Sequence, residues 1–171
     1  MTKDDVNAAF AAARAGNLPV VVAMLERGVS VNAVNECGHT LMHRAAACGH
    51  VHVIEELSRR GGNLRAKNEY GNTPMHYAAG NCDAAVIEAI MHLCDGGGAS
   101  DVDNTGWSAL HWLAERASDY RPPARADAAL AALVQCTDLN FSAKNRDGRT
   151  AACVAREADN EAFAIKLEQV P

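Results

Sequence analysis

Three histidines share one local setting: His43 follows Thr40 by three residues, His76 follows Thr73 by three, and His111 follows Ser108 by three. A hydroxyl beside an imidazole is the raw material of nucleophilic catalysis, with the ring as general base. A second group, Cys48, His50 and His52, carries donor atoms that suit zinc. Six cysteines (Cys37, Cys48, Cys82, Cys94, Cys136, Cys153) add thiols that could be ligands, nucleophiles or disulfides. Each reading meets an obstacle in the sequence. A catalytic pair is needed once, whereas the hydroxyl–histidine pair recurs at regular intervals, as a hydrogen-bonded structural histidine does. No second ligand pair completes a tetrahedral set around Cys48, and the cysteines form no C-x-x-C pair. The Gly96–Gly98 run lacks the Lys-Ser/Thr of a phosphate loop, and no Gly-x-Ser-x-Gly, His-Glu-x-x-His or nucleotide fingerprint occurs. The expectation is a chain with no enzymatic activity, no metal and no cofactor.

The elements that hold these residues must be built from small side chains. Of 171 residues, 49% are hydrophobic and 22% charged, but only 5% are aromatic. Such a chain folds, and its Ala, Val and Leu suit closely spaced helices better than a β-sandwich. The net charge is −5, and neither half is basic, which excludes the electrostatic footprint of a nucleic-acid partner. No apolar run is long enough for a bilayer, and the opening Met1-Thr-Lys-Asp-Asp-Val6 carries no apolar signal segment. A cytoplasmic location is expected, with the nucleus as the second choice.

Internal repetition organises the chain. Cys37-Gly-His-Thr-Leu-Met-His-Arg-Ala-Ala46, Tyr70-Gly-Asn-Thr-Pro-Met-His-Tyr-Ala-Ala79, Thr105-Gly-Trp-Ser-Ala-Leu-His-Trp-Leu-Ala114 and Asp147-Gly-Arg-Thr-Ala-Ala-Cys-Val-Ala-Arg156 align directly. Their anchors Thr40, Thr73, Ser108 and Thr150 are separated by 33, 35 and 42 residues. A degenerate copy precedes them, with Ala11–Gly16 matching Arg44–Gly49 at an offset of 33. Within a unit, the glycine serves a tight turn, the Thr or Ser caps a helix, and Pro74 sits at a first helical position. A short Ala-rich helix then runs to about Gly49, and Val51, Val53, Ile54 and Leu57 mark a second helix that closes at Gly61 and Gly62. One such unit cannot bury its own apolar face, but a row of them can.

The period of 33 and the run Thr73-Pro-Met-His-Tyr-Ala resemble the ankyrin repeat, whose signature is T-P-L-H-x-A. The resemblance covers about Asp5 to Leu167. It implies an all-α solenoid forming a single domain over 1–171, with repeats at about 4–34, 35–67, 68–102, 103–144 and 145–171. The first and last are degenerate caps, with Phe10 in the histidine's place in one and Cys153 in the other. It also implies that His43, His76 and His111 are structural, bonding to Thr40, Thr73 and Ser108 and to neighbouring backbone.

The resemblance further implies a protein-binding adaptor, scaffold or inhibitor, monomeric when isolated; the alternative is a regulatory or structural subunit of a larger complex. The partner would lie on a concave face made by hairpin tips and the exposed ends of the inner helices. The candidate contact residues are Glu36, His39, Glu69, Tyr70, Asn72, Asn104, Thr105, Trp107, Arg116, Arg146 and Arg149. Trp107 stands out, a large aromatic whose counterparts are His39, Asn72 and Arg149. It is either an anchor or a gap-filler against Trp112. Tyr70 lies one repeat away, about 10 Å if the helices pack normally. Extra residues near Cys94–Gly98 and in Ser118–Ala124, with Pro122 and Pro123 as a stiff loop, either decorate a binding face or are neutral insertions.

Overall fold

The computed structural model describes residues 2–117 and 123–169. Among them run ten helices: α1 (Lys3–Ala15), α2 (Leu18–Glu26), α3 (Leu41–Ala47), α4 (Val51–Arg59), α5 (Pro74–Gly80), α6 (Ala84–Leu93), α7 (Ala109–Arg116), α8 (Pro123–Val134), α9 (Ala151–Glu157) and α10 (Glu161–Gln169). They pack as consecutive pairs, α1 with α2 through α9 with α10. The first helix of each pair lies against the first helix of the next, giving an inner row α1, α3, α5, α7, α9. The second helices α2, α4, α6 and α8 follow in the same order. The architecture is the expected all-α stack, in which chain order and spatial order coincide.

Local chemistry starts four of the five inner helices at the anticipated residue. Thr40, Thr73, Ser108 and Thr150 hold extended backbone just before α3, α5, α7 and α9. A histidine at the third helical position of α3, α5 and α7 reaches back to the cap residue. These helices have seven or eight residues, too short to persist alone in water. Tertiary packing therefore supplies their stability. Leu41, Met42, Ala45, Ala46, Ile54 and Leu57 are essentially inaccessible, and the same register recurs at Met75, Ala78, Ala79, Ile87 and Ile90. Each fully buried Leu or Ile contributes about 1.5–3 kcal/mol.

The ends of the stack are finished differently. Thr2 and Asp5 form a reciprocal cap on α1, and Asp5 also pairs with Arg27 at 2.7 Å. At the far end Arg156 bridges Glu161 and Glu168, while Lys166 reaches back to Asp127 at 2.5 Å. Thr150 meets the Cys153 thiol at 3.3 Å where the three middle units have a histidine.

Between helix pairs the chain projects a tight turn, a finger. Each turn closes by a bond from its glycine N–H to the Asx carbonyl three residues earlier: Gly38 to Asn35, Gly71 to Asn68, Gly106 to Asp103, Gly148 to Asn145. The Asx side chain accepts from two further backbone N–H groups inside the same finger. Neighbouring fingers are tied by backbone bonds: Glu69 N–H to the Cys37 carbonyl at 3.2 Å, Asn104 N–H to Tyr70 at 2.9 Å, and Arg146 N–H to Thr105 at 3.0 Å. The fingers thus form a ladder beside the inner helices.

The extra residues at 94–98 end α6 and enter a joint. Thr137 N–H donates to the Gly96 carbonyl at 2.8 Å, and the Asp138 carboxylate accepts from Gly98 N–H at 2.8 Å and Ala99 N–H at 3.1 Å. The Ser118–Ala124 insertion lies outside the described residues up to the start of α8.

Candidate functional site

The three recurrent histidines are staples between units. His43 Nε2 donates to the Asn72 carbonyl at 2.9 Å, His76 Nε2 to the Trp107 carbonyl at 2.9 Å, and His111 Nε2 to the Arg149 carbonyl at 3.1 Å. A carbonyl can only accept, so Nε2 carries the proton. Nδ1 is then the acceptor, taking the cap residue's backbone N–H at 3.0 Å from Thr40, 3.1 Å from Thr73 and 3.3 Å from Ser108. The hydroxyls of Thr40, Thr73 and Ser108 lie 2.8–2.9 Å from the same nitrogens. A second proton would set donor against donor, so the rings are neutral. Burial agrees: it pushes His43 down to about 4 and also lowers His76 and His111. Each hydroxyl–imidazole pair is nearly inaccessible, which gives a substrate no approach.

His50 and His52 are also committed to backbone. Their Nε2 atoms donate to the carbonyls of Arg14 and Gly16, both at 2.9 Å. Among the described residues no three or more His, Cys, Asp or Glu side chains converge on a point that could hold a metal. All six thiols are free, and burial raises those of Cys82, Cys94 and Cys136, the last to about 11, which disfavours the reactive thiolate.

The finger tips carry most of the expected contact residues in accessible positions. Glu36, Glu69, Tyr70, Asn104, Thr105 and Arg146 are exposed, and Arg116 is half-buried beside Glu115 at 4.0 Å. Tyr70 is 59% exposed although its backbone is fully engaged: its N–H bonds Asn68 Oδ1 and its carbonyl receives Asn104. Trp107 is half-buried, and its indole lies 6.0 Å from the His111 ring. Trp112 tilts against Tyr77 at 5.8 Å and donates Nε1–H to Asp103 at 3.2 Å.

Three expected rim residues are corrected. His39 and Asn72 are buried, at 8% and 6% exposure, and Arg149 is half-buried with its guanidinium already held by Asp147 and Glu157. All stand immediately after a turn glycine, where the finger folds back onto the inner helix. For His39 the following unit closes over the side chain, whereas Arg149, in the last finger, is held by its own unit. His39 Nε2 meets the Tyr77 hydroxyl at 2.7 Å and Asn68 Nδ2 at 3.1 Å, and burial lowers its proton affinity.

What the sequence reading missed is the row one residue beyond the histidine, Arg44, Tyr77 and Trp112. All three are half-buried and lie beside the fingers, forming a floor that is cationic at one end and aromatic further along. The signal was present as the position directly after each recurrent histidine, filled three times by a large side chain.

A row of stacked helix pairs, with projecting fingers and a floor of large side chains along one face, defines a helical repeat solenoid. A family model for ankyrin repeats, in three copies, matches residues 8–93, and the chain belongs to the ankyrin-repeat family. Ankyrin repeats generally mediate protein–protein interaction. No curated protein matches the chain. Among the described residues no helix is long and apolar enough to cross a membrane.

Proposed function

We propose that the face made by the inner helices and finger tips binds a protein partner, and that the chain acts as an adaptor, scaffold or inhibitor rather than as an enzyme. In this reading the five helix pairs are five repeats with the boundaries given above, working as one monomeric domain in the cytoplasm or nucleus.

The observation that carries the proposal is Tyr70, a large aromatic 59% exposed on a finger whose backbone is tied to both neighbours. A side chain on so rigid a support has little conformational entropy left to lose, so its burial on binding goes largely into affinity. The Tyr77 and Trp112 rings and half-buried Trp107 extend the apolar area, and Glu36, Glu69, Asn104, Thr105, Arg116 and Arg146 supply a polar rim. His39, Asn72 and Arg149 take the part of support for that surface.

The test is calorimetric. A partner captured from native extract is purified and titrated against the parent chain, Tyr70→Ala and Trp107→Ala. Anchors of this kind are each worth about 2 kcal/mol, so each substitution weakens binding by at least about tenfold while helicity holds. Parental affinity in the double variant overturns the reading.

A further inference from the structure

The finger ladder has an open first rung. In the second, third and fourth fingers the residue after the Asx donates its N–H to the preceding finger: Glu69 to Cys37, Asn104 to Tyr70, Arg146 to Thr105. The equivalent N–H of the first finger belongs to Glu36, which is exposed and has no acceptor among the described residues. It borders an open groove of about 610 Å³ between α1, the first finger and the start of the floor at Arg44.

The groove combines apolar surface with unneutralised positive charge. Val34, 59% exposed, and half-buried Phe10 and Val6 line its walls. Lys3, Arg14 and Arg44 line it too, against the single carboxylate of Glu36. Elsewhere Arg27, Arg60, Arg65 and Arg156 each hold a carboxylate within 4.0 Å. Arg14 and Arg44 hold none among the described residues, although Arg44 is half-buried and thus partly desolvated. A guanidinium in that setting has most to gain from a carboxylate brought by a ligand.

We infer that this groove receives an acidic segment of the partner protein, which sets a backbone carbonyl on the Glu36 N–H, an apolar side chain between Phe10 and Val34, and an Asp or Glu carboxylate on Arg14 and Arg44. This rests on the protein-binding reading above and names the partner's chemistry at one end of the same face. A second copy of this chain is a poorer occupant. Its open ladder carbonyl is that of Asp147, in the last finger, whose carboxylate is already held by Arg149, and docking it would bring exposed Arg146 toward Arg14 and Arg44.

Glu36 occupies the second position of the Asn35–Gly38 turn, where proline is well tolerated. Glu36→Pro therefore deletes the N–H with little disturbance to the turn, and Glu36→Ala removes the same side chain while keeping the N–H. The probe is a library of random heptapeptides selected by display on the full chain, followed by fluorescence polarisation with the enriched peptide. The expected sequences carry Asp or Glu beside Leu, Ile or Phe. Arg44→Gln weakens binding about tenfold, Glu36→Pro about fivefold more than Glu36→Ala, and exchanging the peptide's carboxylates for amides matches the Arg44→Gln loss. Unchanged melting temperatures show that the variants fold.

Enrichment of peptides without carboxylates, or binding indifferent to both Arg44→Gln and Glu36→Pro, overturns the inference. So does concentration-dependent self-association in ultracentrifugation that Glu36→Pro abolishes, which assigns the groove to a second copy. If the captured protein partner is lost by Tyr70→Ala and Trp107→Ala but not by Arg44→Gln or Glu36→Pro, this inference fails and the broader reading stands.

Discussion

The imidazole of His76 joins two units by holding the Thr73 backbone N–H on Nδ1 at 3.1 Å and the Trp107 carbonyl on Nε2 at 2.9 Å. Its ring is wholly buried. A residue that reads as a catalytic base in isolation is therefore a joint. Its removal leaves the buried Thr73 N–H without an acceptor and the Trp107 carbonyl with the Asp103 N–H alone. His76→Ala is expected to destabilise the chain by roughly 3 kcal/mol, from the orphaned N–H and the lost inter-unit bond together with the cavity. Urea unfolding measures it; a loss below about 1 kcal/mol contradicts the stapling role.

Acid should loosen the same joints. Burial holds His43 at about 4 against an ordinary value of 6.5, and lowers His76 and His111 in the same direction. As pH falls through 6.5 the unfolded chain takes up protons that the folded chain refuses, so stability declines; the His43 contribution levels off below about pH 4. For His43 alone the loss is about 3 kcal/mol across that window. The urea midpoint is expected to drop steadily between pH 7.5 and pH 5, less steeply in His43→Gln. A flat profile over this range rules out neutral stapling histidines.

Two glycines with nearly the same backbone should respond differently to alanine. Gly71 and Gly148 have φ of +79° and +77°. A Cβ on Gly71 would lie 2.7 Å from the Asn104 amide nitrogen, whereas a Cβ on Gly148 meets nothing within 4 Å. Gly148→Ala carries only the left-handed strain, about 1 kcal/mol. Gly71→Ala must also push the next finger away and should cost at least about 2 kcal/mol. Thermal melts of the pair check the ordering, and equal losses would count against contact between the fingers.

The ladder makes a matching contrast among glutamates. Glu69→Pro removes the bond to the Cys37 carbonyl and is expected to destabilise by about 1 kcal/mol, while Glu36→Pro, with no ladder bond to lose, stays within about 0.5 kcal/mol of the parent. Chemical denaturation distinguishes them.

Much of this architecture is legible in the chain because its signals are short-range. A cap and its histidine lie three residues apart, and a turn glycine three from its Asx, so local sequence is enough to set them. The 33-residue period then leaves stacking as the way to bury the apolar faces. The contact surface was less legible. Glu36, Glu69, Tyr70, Asn104, Thr105 and Arg146 are as accessible as expected, but the residue after the turn glycine, read as projecting, is covered in His39 and Asn72 and pinned in Arg149.

The sequence by itself determined the unit: where each helix starts, where the finger bends, and which side chains face inward. These follow from interactions spanning a few residues, repeated until they are unmistakable. Only the tertiary structure decided what one unit does to the next, because the partners lie about thirty residues away and a strip of sequence does not show which side of a finger its neighbour will cover. The histidine's acceptor, the aromatic floor and the unfilled first rung at Glu36 all belong to that second kind.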